Sequence, residues 1–127
     1  MNTATLRIYN SIEDKEPIKT YTCYRLTMDL DEKLNDILDE TNEVQEEVNK
    51  KTATLNEKST KEDIKKLKED IKPLKEKLSD LTLNTIRLFF PSFTVEDFNK
   101  LDPYDYQTFI FEIGEMRNKI YNRAAKN

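Results

Sequence analysis

The sequence predicts an α+β fold that is mainly helical: an N-terminal β-hairpin, two long central helices and a C-terminal helical pair. Three observations carry this expectation. Apolar residues alternate at period two only before residue 28, and from Asp29 onward they recur every three or four residues. A single glycine and four prolines leave little material for the tight turns of a sheet protein. All six phenylalanines and three of the six tyrosines fall between Leu88 and Tyr121, so the bulkiest core-forming groups sit near one end.

The hairpin is expected over residues 4–10 paired with 17–26. Leu6 and Ile8 alternate with Thr5, Arg7 and Tyr9, and a polar loop ending at Pro17 leads into the Thr- and Tyr-rich run Ile18–Leu26. A lone hairpin is marginal in water, so it must pack on the helices or pair with another edge. Cys23 reads as a small packed side chain.

Asp29 and Asp31 are both plausible caps for the first helix, along which Leu30, Leu34, Ile37, Leu38, Thr41, Val44 and Val48 form an apolar stripe. Residues 29–47 carry nine acids against Lys33 alone, a local balance of −8. The second helix starts near Ser59 or Thr60, with Thr60 and Asp63 spaced as cap and third position. Ile64, Leu67, Ile71, Leu74, Leu78 and Leu81 form a heptad seam, and residues 61–77 carry seven lysines against five acids. Opposite local charge and matching seams predict antiparallel packing across the 49–59 connection. Pro73 is expected to kink the second helix. Asn49 to Lys68, polar and without aromatics, reads either as a mobile, partly disordered tip or as a tight hairpin between the two helices.

Two further starts lie in the aromatic stretch. Thr94 can cap a short helix, with Asp97 answering it in an acidic capping box and Phe93 and Phe98 spaced as a hydrophobic staple. Asp102, Pro103 and the Leu101–Tyr106 pair repeat that arrangement for a longer helix to about Arg123. Tyr106, Phe109, Ile110, Ile113, Met116, Ile120 and Ala124 form its core stripe. Phe93, Phe98, Phe109, Ile113 and Met116 are the expected core of this C-terminal unit. Tyr104 and Phe111, seven residues apart, lie off the stripe and are the candidate protein-binding residues. Their alternative is cover by another part of the same chain.

The chain is read as one domain, 1–127, made of the hairpin (4–26), a charged helical region (29–90) and the C-terminal unit (93–124). Its net charge of −4 offers no general attraction to nucleic acid or anionic membranes. No apolar run approaches the ~18 residues of a membrane span. A first segment without signal-peptide character and a single cysteine fit a reducing cytoplasm. With no histidine, no cysteine pair and only Gly114, the usual zinc sites, histidine-based catalysis and Gly-rich phosphate loops are missing, so no catalytic residue, metal or cofactor is expected. The acidic and lysine-rich runs read as solvated helix faces.

In order, the segments TLRIYN…KTYTCYRLTMDL, a charged helical middle and IRLFFPSFTVEDF…LDPYDYQTFIFEIGEM resemble the tail assembly chaperones of long-tailed phages of Gram-positive bacteria. Phe93, Thr94, Glu96, Asp97, Phe98, Leu101 and Asp102 match that family's C-terminal pattern, and the resemblance covers both ends, about half the chain. It implies a non-enzymatic protein of the host bacterial cytoplasm. Such a protein binds the long helical tape measure protein, helps to deliver tail tube subunits and leaves the finished tail. The resemblance also implies a longer form made by programmed frameshift, through which tail tube protein would be recruited. The terminal Ala125-Lys126-Asn127 is compatible with it if the codons contain A AAA AAC. Self-association is an open possibility. The main alternative is a cytoplasmic coiled-coil adaptor or oligomerisation module using Ile64–Leu81 as its seam, and an enzyme ranks last.

Overall fold

The computed structural model describes residues 3–126, and within the last helix it does not describe the side chains of Ile120 or of residues 122–126. The expected stripe positions Ile120 and Ala124, and the terminal Ala125-Lys126-Asn127, therefore lie outside the described side chains. The elements are β1 (Ala4–Ile8), β2 (Lys19–Cys23), α1 (Met28–Thr52), α2 (Lys61–Phe89), α3 (Val95–Lys100) and α4 (Pro103–Lys126). The α+β, mainly helical class is the one observed.

β1 and β2 pair antiparallel from Ala4↔Cys23 to Ile8↔Lys19. Ala4, Leu6 and Ile8 are fully buried, as period two requires for a strand with one face on the core. The ladder is shorter than the expected 4–10 with 17–26. The chain turns away at Ser11, where its amide donates to Asp14 Oδ2 at 3.1 Å and the Asp14 amide returns to Ser11 O at 3.2 Å. Pro17 has no N–H with which to extend the ladder. Cys23 is packed as expected, and burial pushes its thiol up from the ordinary value.

Helix α1 starts one residue before Asp29, and its cap is Thr27, whose hydroxyl accepts from the Leu30 amide at 3.2 Å. Asp29 and Asp31 are first-turn acids rather than caps, and Asp31 turns inward. Leu34, Val44 and Val48 from α1 and Ile71 and Leu81 from α2 are buried, and α1 packs on α2. Lys77 reaches Glu40 across this antiparallel pair at 3.5 Å.

The middle of the chain holds the facing ends of α1 and α2 and a short connection. Residues 49–68 are helical up to Thr52 and again from Lys61. The connection between them is held by Asn56 N–H to Ser59 Oγ (2.8 Å), Lys58 N–H to Asn56 Oδ1 (2.8 Å) and the reciprocal Thr60–Asp63 capping box. Pro73 lies inside an uninterrupted α2. The apolar seam stays in phase across it, and no new helix starts there.

Helices α3 and α4 begin where the caps predict. Thr94 Oγ1 accepts from the Asp97 amide at 3.0 Å, and Asp102 Oδ1 accepts from the Tyr104 amide at 2.8 Å. The second half of the Thr94 capping box is different from expectation. The Asp97 carboxylate turns to the hairpin, where Oδ2 accepts from Tyr21 Oη at 2.6 Å and pairs with Lys19 Nζ at 3.1 Å. The Tyr21 hydrogen bond, then Lys19, hold the Asp97 carboxyl below the usual carboxylate range against its burial. Burial and the bond to Asp97 push the Tyr21 phenol up.

The C-terminal core does not stand apart as a unit. Phe93, Phe109, Ile113 and Met116 are buried, with Phe98 partly so, in one cluster with Ala4, Leu6 and Ile8 of β1, Leu34 of α1 and Ile86 of α2. Tyr21 stacks against Phe90 and Phe93 at 5.3 and 5.2 Å between centroids, and Phe109 meets Phe89 and Phe90, each at 5.5 Å. The hairpin that could not stand alone is covered by α4, and Glu112 Oε1 accepts from the Thr5 amide at 3.2 Å. A second clamp joins the start of α1 to the far end of α4. Buried Asp31 pairs with Arg117 Nε at 2.6 Å and accepts from Tyr121 Oη at 2.7 Å, while Arg117 also donates to Asn35.

Candidate protein-binding face

Helix α4 is fixed from three sides: by the Asp102 cap at its start, the apolar core along its length and the Asp31–Arg117–Tyr121 cluster towards its end. At ~100° per residue, the buried set Phe109, Ile113 and Met116 centres on one side, and Phe111 falls opposite it. Tyr104, two turns earlier, shares the Phe111 side. Their exposures, 74% for Tyr104 and 66% for Phe111, decide the alternative left open above, because among the described residues no other part of the chain covers either ring.

Two residues that sequence reasoning did not single out extend this face. Ile12, at the tip of the β1–β2 loop, is fully exposed. It borders a cleft of about 710 Å³ together with Tyr9, Leu101, Pro103, Tyr104 and Asp105. The available signal was one isoleucine alone in the otherwise polar loop Asn10–Pro17. Gly114 lies one turn beyond Phe111 in the helix interior, where glycine costs roughly 1 kcal/mol relative to alanine. A Cβ built there would meet nothing within 4 Å. The fold of this chain therefore has no steric need for glycine at that position, and the helix backbone is open to close approach from outside.

The electrostatics of the cleft are mild. Burial, then the neighbouring Asp102 charge, raise the Asp105 carboxyl above its ordinary value, partly opposed by Arg7. Among the described residues no group of three or more His, Cys, Asp or Glu side chains is placed to hold a metal ion. No described helix is long and apolar enough to cross a membrane. The face can therefore offer aromatic rings, one aliphatic side chain and an open stretch of helix backbone to an apolar partner surface. No protein-family model matches the chain, and neither does any curated protein or solved structure compared with it.

The seam Ile64–Leu81, on which a coiled-coil adaptor would depend, is occupied by α1 of the same chain. Ile71 and Leu81 are buried and Leu67, Leu74 and Leu78 half-buried, while Ile64, nearest the tip, is exposed.

Proposed function

We propose that the chain is a phage tail assembly chaperone, a non-enzymatic protein that holds helical segments of the tape measure protein on the outer side of α4. The observation that supports this most is the placement of Phe111 and Tyr104 in water, opposite the core side of a helix that is otherwise clamped in place. An exposed aromatic pair at seven-residue spacing suits an amphipathic client helix, whose anchors recur at the same interval. Gly114 beside it suits close helix packing. The family resemblance of residues 93–102 supplies the identity of the client. A longer frameshifted form would extend the chain from the end of α4 and recruit tail tube subunits, and the protein would act in the host cytoplasm and leave before the tail is complete.

Co-expression with a candidate tape measure protein tests the proposal. Wild type is expected to keep that protein soluble, and Phe111→Glu to leave most of it in the pellet. Equal solubility with both would remove the α4 face as the site. The codons of Ala125-Lys126-Asn127 test the longer form separately.

A further inference from the structure

The two central helices carry matched charged stripes that do not meet within one chain. On α1, Glu32, Asp36, Asp39, Glu43 and Glu46 are separated by steps of four, three, four and three residues. They therefore form one line on the side away from Leu34 and Val48. On α2, Lys61, Lys65, Lys68, Lys72 and Lys75 repeat the same steps along one flank. All ten side chains are exposed, and none makes an ion pair among the described residues. The apolar seams face each other instead, so the only described bridge across α1 and α2 is Lys77–Glu40.

The α1 stripe by itself is unfavourable, because like charges three or four residues apart on a helix repel; on α2, Glu62, Glu69 and Glu76 stand three or four residues from Lys65 or Lys72 and offset part of that repulsion. The lysine stripe also has a shape. Beside it lies a trough of about 460 Å³ lined by Lys68, Ile71, Lys72, Lys75, Glu76 and Ser79, with the buried Ile71 at its floor. Lysine stems can cover apolar surface while their ammonium groups remain at the rim. Each stripe spans about 21 Å at 1.5 Å per residue. With the helices parallel, Glu32 meets Lys61, Asp36 meets Lys65, Asp39 meets Lys68, Glu43 meets Lys72 and Glu46 meets Lys75 without a change of phase.

We propose that the acidic stripe of α1 docks along the lysine stripe of α2 in a second copy of this chain. The occupant follows from charge complementarity, since the same sequence holds both halves in the same step order. Apart from Ile71 at the trough floor the contact uses no residue of the Ile64–Leu81 seam, and it uses neither Tyr104 nor Phe111, so it stands or falls independently of the client-binding proposal.

Sedimentation velocity of the purified chain alone tests it. At about 50 mM salt the mass is expected to exceed the 15.1 kDa of one chain. At about 500 mM, where screening shortens the Debye length to a few ångströms, association should weaken by roughly tenfold or more. Asp39→Lys/Glu43→Lys and Lys68→Glu/Lys72→Glu should each associate less than wild type at low salt while keeping wild-type helical content. An equimolar mixture of the two should regain association, because the inverted stripe of one matches that of the other. A wild-type monomer at low salt, association indifferent to salt, or a mixture no more associated than its components would overturn the proposal.

Discussion

Replacing Tyr21 by phenylalanine tests the clamp that seats the hairpin on α3. The phenol donates at 2.6 Å to Asp97, a carboxylate only 8% exposed, and its ring stays packed on Phe90 and Phe93 whether or not the hydroxyl is present. The substitution therefore removes one charge-assisted hydrogen bond with little change in packing. Such a bond is worth about 1.5–3 kcal/mol. For a chain of this size that corresponds to a Tm lower by roughly 5–15 °C. The pH dependence carries a sign. The Asp97 carboxyl is depressed in the folded state, so its contribution is present above the unfolded carboxylate value and is lost as pH falls through the lower folded value. Wild type should lose stability between about pH 5 and pH 2 more steeply than Asp97→Asn. Thermal melts followed by circular dichroism measure both effects. A Tyr21→Phe melt within about 1 °C of wild type, together with identical acid limbs for wild type and Asp97→Asn, would refute the clamp.

Other outcomes follow from the same packing. Phe109→Ala, at the fully buried centre of the aromatic cluster, should cost about 3–5 kcal/mol in denaturant unfolding, and the half-buried Phe98→Ala should cost less but measurably more than zero. Asp31→Ala leaves Arg117 without its carboxylate and Tyr121 Oη without its acceptor, so a loss of about 2–4 kcal/mol is expected after allowing for the partial exposure of Arg117. Gly114→Ala should raise stability by about 0.5–1 kcal/mol, since nothing among the described residues contacts the added methyl group, while reducing capture of a helical client.

Local features were legible in the sequence. Thr60, Thr94 and Asp102 stand where a helix needs a side-chain acceptor, and each acts as one. The period-two run at Ala4–Ile8 and the three/four spacing of Phe109, Ile113 and Met116 identify the buried faces of a strand and a helix. Placing Phe111 opposite that helical stripe required only its angular position. Long-range polar pairing was hidden. Asp97 meets Tyr21 across 76 positions of sequence, and Asp31 meets Tyr121 across 90. Both acids carry local patterns, a capping box and an acidic first turn, that a tertiary partner overrides. The Thr27 cap is masked in the sequence by the two aspartates that closely follow it, since each is itself a good cap. The loop residue Ile12 joined Tyr104 only once β1 and α4 had packed together.

The most direct test of the account is the affinity of the purified chain for the tape measure protein proposed as its client, compared between wild type and Phe111→Glu. An aromatic anchor at the centre of an interface contributes 2 kcal/mol or more, so the account predicts an affinity at least about 30-fold weaker for the variant with an unchanged Tm. Equal affinities for the two proteins would contradict it.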